Sequence, residues 1–351
     1  MTAQTTPARA PRRDASPRQA LARMLSGNQV QQAIYTFARL GIPELLADGP
    51  RSSADLAAAA AADADALHRL LRSLTGFGVV AADDDGRFEL TELGELLRPD
   101  VRGSMSALAL WSGGTRYRAF GELEHTVRTG RPGFERLLGT DFWTYLAADD
   151  EARAQFDAMT EVHTLPVAPV VAGRDFGAAR TVVDVGGGRG DLIASILARH
   201  GDLTGALVEH SGAIAGARAF LERAGVADRC DVVEADILAE LPPAGDLYIL
   251  KNLLHGLGDD DAVRVIENCG RAANAGARLL IVELVIAPGN GFTAGKLMDL
   301  LMLVGGHGRE RTEAEFARLL RSAGARLEDV APAPWGYSMI EAALGIEAAL
   351  G

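Results

Sequence analysis

An apolar run that stops in glycine constrains this chain more than any other feature. Thr181-Val182-Val183-Asp184-Val185 is followed at once by Gly186-Gly187-Gly188-Arg189-Gly190, and then by helical spacing over 192–197. A short run rich in β-branched residues, closed by glycine, reads as a buried strand. The change to helical periodicity behind it makes a strand–loop–helix unit. Four further strand runs follow, over 205–209, 230–235, 247–250 and 279–283, with helical stretches between them. That alternation specifies an α/β domain built on a parallel sheet. Ligands of such sheets lie beyond the carboxyl ends of the strands, where the strand order reverses. Here the first such end is the glycine run. Glycine lets backbone approach a ligand closely, and the helix N-terminus behind it offers free N–H groups.

The acids after the next two strands narrow the ligand. Glu209 ends the second strand, where a carboxylate can accept from both hydroxyls of a ribose. Asp236 follows the third and would sit near an adenine edge. Either acid could instead cap a helix; together with the glycine loop they point to a nucleoside-containing cofactor. The spacing departs from G-x-G-x-x-G, since the third fingerprint glycine would fall at Asp191. That counts against a dinucleotide.

With 351 residues the chain has room for two domains, and 48% hydrophobic residues supply a core. Residues 1–18 carry Arg9, Arg12, Arg13 and Arg18 among Pro, Thr, Ala and Ser with no apolar stretch. A disordered tail is expected, although a transit peptide has similar composition. Residues 19–103 read as helices followed by a hairpin around Asp83-Asp84-Asp85-Gly86, the outline of a winged helix. One use of that outline is DNA binding through His68, Arg69 and Arg72. The other is packing or dimerisation. Asp63, Asp65 and the hairpin acids, with a net charge of -12, oppose phosphate and favour the second. Residues 104–170 form an aromatic-rich helical connector suited to a substrate pocket, and 171–351 the cofactor-binding domain. Cys230 and Cys269 are too few for a disulfide framework or a four-ligand zinc site. Asp259-Asp260-Asp261 reads as the solvated start of a helix, so no metal is expected. No apolar window reaches the length of a membrane span, and a cytoplasmic location is expected.

The segment 182–190 resembles motif I of class I S-adenosylmethionine-dependent methyltransferases. Four further segments are similar to the caffeic acid O-methyltransferase-like family of small-molecule O-methyltransferases, closest to bacterial members acting on aromatic natural products. They are Leu250-Lys251-Asn252-Leu253-Leu254-His255, Leu279-Leu280-Ile281-Val282-Glu283, Asp299-Leu300-Leu301-Met302-Leu303 and Gly308-Arg309-Glu310-Arg311-Thr312. The resemblance spans about residues 20–343. It implies a Rossmann-like methyltransferase domain preceded by a mainly helical, winged-helix-like dimerisation domain, and hence a homodimer. It implies S-adenosyl-L-methionine as cofactor, S-adenosyl-L-homocysteine as product and a small aromatic acceptor. Nucleic acid and membrane are not expected partners.

Carried over, Gly186 and Gly188 line the methionine end of the cofactor and Glu209 its ribose, with Asp236 and Ile237 beside the adenine. Lys251 or Asn252 contacts the cofactor, and Arg153 matches an arginine that reaches it in some bacterial members. His255 matches the general base, with Glu283 and Glu310 orienting it. Where the family often reads His-Asp-Trp, this chain has His255-Gly256-Leu257, which removes an aromatic wall near the base. Trp111, Trp143, Met159, His163, Met298 and Met302 are candidate substrate contacts, because a flexible methionine-rich wall suits a flat acceptor. The expected reaction is O-methylation of a phenolic or enolic hydroxyl. Two alternatives stand beside it: a non-methylating relative, hydroxylase or pericyclase, that keeps the cofactor, and a winged-helix DNA-binding regulator.

Overall fold

The structure is a computed structural model that describes residues 16–210, 214, 216–242 and 244–345. Residues 1–15 of the expected tail lie outside the described residues. Pro17 and Arg18, expected in that tail, instead open the first helix, Pro17–Leu25, where Ser16 and Gln19 cap each other reciprocally. The chain divides into two compact units, one running to Val101 and one starting at Arg102.

In the first unit, helices Gly27–Arg39, Ser53–Ala59 and Ala64–Thr75 precede a hairpin of β1 (Val80–Ala82) and β2 (Phe88–Leu90), with Val80 opposite Leu90. The starts of the helices follow from their caps. Ser52 Oγ accepts from Asp55 N at 3.1 Å and Asp63 Oδ1 from Ala66 N at 2.8 Å, each worth about 1 kcal/mol. The hairpin acids shape their own turn: Asp83 Oδ1 accepts from Asp85 N at 3.0 Å and Arg87 N at 2.8 Å. Gly86 supplies the left-handed residue, φ +75°. Helix Ala64–Thr75 buries Leu67, Leu71 and Leu74. Of the three residues of the DNA reading, His68 belongs to the packing, edge-on to Phe88 at 5.6 Å, while Arg69 faces solvent beside Asp65.

The second unit holds a seven-stranded sheet in the order β5-β4-β3-β6-β7-β9-β8. Its strands are β3 (Thr181–Val185), β4 (Thr204–Glu209), β5 (Cys230–Glu234), β6 (Gly245–Lys251), β7 (Ala273–Leu284), β8 (Arg326–Pro332) and β9 (Tyr337–Ala343). The five strands expected from sequence are mutually parallel. The sheet is not wholly parallel, however. The last two strands, which sequence reading did not identify, form an antiparallel edge, with β9 inserted between β7 and β8. β8 is an exposed edge strand carrying Arg326, Glu328 and Asp329, so it lacks the apolar run that marks β3 or β7.

Strand alternation separates two cores. Val182, Ile249 and Leu280 pack with Ile193, Ile196 and Leu197 of helix Asp191–Arg199 on one face. Val183, Leu250 and Ile281 pack on the other with Val265 and Ile266 of helix Asp259–Ala272 and Leu320 of helix Glu313–Ser322. Each such side chain contributes about 1.5–3 kcal/mol on burial. Cys230 and Cys269 are free thiols in these opposite cores. β3 lies at the switch point, between β4 and β6. The carboxyl ends of β3, β4 and β6 therefore meet at one edge.

Candidate active site

The glycine loop leaves β3 with its backbone dictated by crowding on one side and openness on the other. A Cβ at Gly187 would lie 2.5 Å from both the Asp184 carboxylate and Leu207, and one at Gly186 2.8 Å from Leu253 Cδ1. Gly186, Gly188 and Gly190 take positive φ of 67°, 58° and 92°. At Gly188 a Cβ would meet nothing within 4 Å. This part of the loop is an open cradle, not a packed turn.

Glu209 ends β4 directly across from that cradle. Gly188 N donates to its Oε2 at 3.1 Å and His210 N to its Oε1 at 2.9 Å. Arg153, on helix Asp150–Thr164, reaches the same edge, pairing with Asp157 at 3.2 Å and lying 3.4 Å from His210 Nε2. Asp236 is exposed and its Oδ1 accepts from Leu238 N at 2.9 Å. Ile237 gives its carbonyl to Asn268 at 2.7 Å. Asp236 thus caps its own turn, with a shallow depression beside it lined by Val233, Ala235 and Leu241. A carboxylate pinned by backbone amides, facing an open glycine cradle, fits a ribose-bearing cofactor with an amino-acid end.

At the end of β6 the chain turns sharply. Asn252 adopts φ +50° and donates from Nδ2 to Tyr337 Oη at 2.9 Å. Lys251 lies 5.9 Å from the centre of the Tyr337 ring. Burial pushes its ammonium down to about 8, against the opposing pull of Asp184 and Glu283. Burial likewise pushes the Asp184 carboxyl up to about 7.

His255 stands on the short turn Leu254–Gly256, which is fastened from below by three groups. Glu283, on β7, is fully buried, and its Oε1 accepts from the amides of Leu253, Leu254 and His255 at 3.0, 2.9 and 3.3 Å. Arg311, 1% exposed, donates to the carbonyls of Leu254 and Leu257 at 2.8 and 3.0 Å and pairs with Asp259 at 2.8 Å. The remaining fastening is a close approach: a Cβ at Gly308 would overlap the His255 carbonyl oxygen, which Arg309 N reaches at 2.8 Å. Asp259 is thus a largely exposed acid at the helix start, as expected, that also pairs with Arg311.

His255 Nδ1 lies 2.8 Å from Glu310 Oε1 and 3.6 Å from Glu283 Oε2. Glu310 is 4% exposed, and its own amide donates to Asp299 Oδ1 at 3.0 Å. The Oε2 atoms of both glutamates lack a hydrogen-bond partner among the described residues. Burial alone would lower the His255 pKa. The charge of Glu283 and the hydrogen bond and charge of Glu310 outweigh it and raise the imidazole above its ordinary value. Burial raises the Glu283 carboxyl. The three residues bring one ligand-type atom each to within 4.8 Å of one another, a donor set that a cation could also use.

The candidate substrate contacts separate. Trp111 is 7% exposed and sits edge-on to Phe142 and Phe156 in a small core that Met159 also joins. Trp143 is 51% exposed. Met298 packs on the sheet core and Met302 is half-buried, both on helix Ala294–Gly305. His163 is half-buried and edge-on to Trp335 at 6.0 Å. Burial, with the charges of Lys251, Arg116 and His255, pushes its pKa down to about 4. Sequence reading passed over Arg116, Asp184, Arg311 and Tyr337. Asp184 and Arg311 each had a signal, their places in the segments 182–190 and 308–312; Arg116 and Tyr337 had none.

Two family models match the chain: an O-methyltransferase dimerisation domain over residues 22–100 and an O-methyltransferase domain over residues 120–326. The phenazine O-methyltransferase of Lysobacter antibioticus is 39% identical, over 92% of this chain and 95% of its own length. A mitomycin biosynthesis 6-O-methyltransferase of Streptomyces lavendulae is 37% identical over 88% and 89%. Among solved structures, an O-methyltransferase from neocarzinostatin biosynthesis superposes with a TM-score of 0.81 at 33% identity, covering 92% of this chain and 98% of that one. It was crystallised with S-adenosylmethionine and 2-hydroxy-5-methyl naphthoic acid.

Proposed function

Because the chain belongs to the S-adenosylmethionine-dependent O-methyltransferase family, we infer that it methylates a phenolic hydroxyl of an aromatic secondary metabolite with His255 as general base. The observation that carries this reading is the 2.8 Å contact from His255 Nδ1 to Glu310. A buried carboxylate there accepts the Nδ1 proton and so fixes the tautomer with its lone pair on Nε2. S-adenosylmethionine, when bound, supplies an electrophilic methyl group on a sulfonium. The rest is done by the chain's own residues. The glycine loop and Glu209 hold the nucleoside, with Gly186 and Gly188 lining the methionine end and Asp236 and Ile237 next to the base. Arg153, Lys251 and Asn252 stand at the same edge.

A phenol with pKa near ~10 is mostly protonated at neutral pH, so a base must take its proton as the new bond forms. Nε2 of His255 is that base, and its help is worth about 10²–10⁴-fold. Glu310 and Glu283 stabilise the imidazolium that results, while the Glu283 and Arg311 fastenings keep the ring from turning away. Positioning supplies a further large share of the rate.

The names of the relatives support an aromatic substrate class, since they include a phenazine O-methyltransferase and a 3-amino-4-hydroxybenzoate 4-O-methyltransferase. Residues 19–103 would form the dimerisation module, 104–170 the pocket-bearing connector and 171–351 the catalytic domain. Leu21, Met24 and Leu25 on the first helix are exposed, an apolar face that a second copy would cover. No helix of the described residues is long and apolar enough to cross a membrane. The test is methyl transfer to phenolic acceptors, followed by mass. The wild type adds one methyl group, and turnover of His255→Ala falls by about 10²–10⁴-fold with S-adenosylhomocysteine affinity kept. Unaltered turnover in the variant would remove His255 from the mechanism.

A further inference from the structure

Both halves of the site are tied to the stretch of chain behind a single bend, at Asn252. This residue follows β6 with φ +50°, a left-handed conformation that costs any residue with a Cβ. Its amide donates to the Val282 carbonyl of β7 at 3.2 Å. Before the bend, Lys251 keeps its place in the sheet, paired with Val282. After it, Leu253 makes two contacts at once. Its side chain presses on the glycine loop, where a Cβ at Gly186 would lie 2.8 Å from Leu253 Cδ1. Its amide opens the row of three, Leu253, Leu254 and His255, that converges on Glu283 Oε1. A rotation at Asn252 would therefore disturb the cofactor cradle and the turn of the base together.

The group that holds the bend comes from beyond the neighbouring strand. Tyr337 opens β9 opposite Leu284 of β7 and is 3% exposed. With β7 lying between β6 and β9, no ladder bond joins Tyr337 to β6. Its Oη nevertheless accepts from Asn252 Nδ2 at 2.9 Å, a bond made across β7 from side chain to side chain. A buried phenol needs a partner for its hydroxyl, whereas phenylalanine would fill nearly the same volume without that need. Here the hydroxyl goes to a strained residue at the junction of the two halves. The ring face is engaged as well, with Lys251 Nζ 5.9 Å from its centre. Burial holds the phenol above its ordinary pKa, so the hydroxyl keeps its proton throughout the range in which an imidazole titrates.

We propose that Tyr337 is a positioning residue for methyl transfer: its hydroxyl locks Asn252 in the left-handed conformation and so registers the glycine loop against the His255 turn. The proposal rests on the methyltransfer reading above and adds to it a residue that acts through another. In-line transfer needs donor and acceptor held at a fixed separation, and a shared bend sets both from one point. Backbone strain persists only where the surroundings over-determine it. At Asn252 they do so through one side-chain bond from a strand that does not touch β6.

The experiment compares wild type, Tyr337→Phe, Asn252→Gly and the double variant. It reads S-adenosylhomocysteine binding by calorimetry, and kcat on naphthols and hydroxynaphthoates at saturating cofactor. Tyr337→Phe should weaken binding and lower kcat, each by about three- to tenfold, the worth of one neutral hydrogen bond. The acid limb of its pH profile should stay in place. Glycine takes positive φ unaided, so in the Asn252→Gly background the same change should alter either quantity by less than about twofold. A Tyr337→Phe variant equal to wild type would overturn the proposal, as would a loss that persists in the Asn252→Gly background. A displaced acid limb would also overturn it, by making the hydroxyl a tuner of the base. Where Tyr337→Phe fails to fold, Asn252→Ala should fall well below Asn252→Gly in both readouts, because alanine resists the left-handed conformation; equal values would overturn the lock. A wild type that transfers no methyl group would sink the methyltransfer reading, while the S-adenosylhomocysteine series would still decide whether Tyr337 holds the bend.

Discussion

The two ends of the site are built in opposite ways. At the glycine loop the binding groups are backbone amides and one carboxylate, close in sequence and open to ligand; Glu209 is held by Gly188 N and His210 N. At His255 the working groups are side chains drawn from 255, 283 and 310, two of them almost fully buried. In the proposed reading the first end recognises by shape and by backbone donors that a side-chain change leaves in place. In the same reading the second sets basicity through charge in a region of low dielectric, where each group counts for more. Binding should therefore tolerate changes at the second end, and chemistry should not.

His255→Ala should have the largest effect, a loss of about 10²–10⁴ in kcat, with the dissociation constant of S-adenosylhomocysteine unmoved. A parallel loss of binding, read by calorimetry, would break the separation between the two ends. Glu310→Gln should cost about tenfold or more, the scale of a charge-assisted hydrogen bond. It should also change the pH profile. The carboxylate raises the imidazole pKa by favouring its charged form, so activity appears as pH rises through that raised value. Removing the charge must shift the acid limb of kcat/KM to lower pH; a limb that stays in place would make Glu310 a packing residue.

Glu209→Ala should weaken cofactor binding by about tenfold and leave kcat at saturation within a factor of a few. A fall in kcat with unchanged binding would invert the roles of the two ends. The smallest effect is expected from a chelator. His255, Glu283 and Glu310 could accept a cation, but in the proposed mechanism their charge serves a proton, so EDTA should leave turnover where it was. Loss restored by a divalent metal would require the cluster to be reassigned.

The same contrast explains what could be read from sequence. The glycine loop and Glu209 are legible because their signal is local: strand, glycine, helix, then an acid at the next strand end. His255, Glu283 and Glu310 span 55 residues, so no periodicity or spacing rule joins them. They were found only through the resemblance of their segments. Arg311 matters because the fold brings the Leu254 and Leu257 carbonyls to it, and Tyr337 because it lies on β9, which closes against β7. Trp111, a candidate substrate contact by sequence, lies in a small aromatic core with Phe142 and Phe156.

If two buried carboxylates make His255 a stronger base, its ring must titrate high. That is tested most directly by NMR titration of the His255 ring in the wild type and in Glu310→Gln, without any acceptor. The expected result is a pKa above the ordinary imidazole value of about 6.5 in the wild type and a clear fall in the variant. A wild-type value at or below 6.5, unmoved by the substitution, would contradict it.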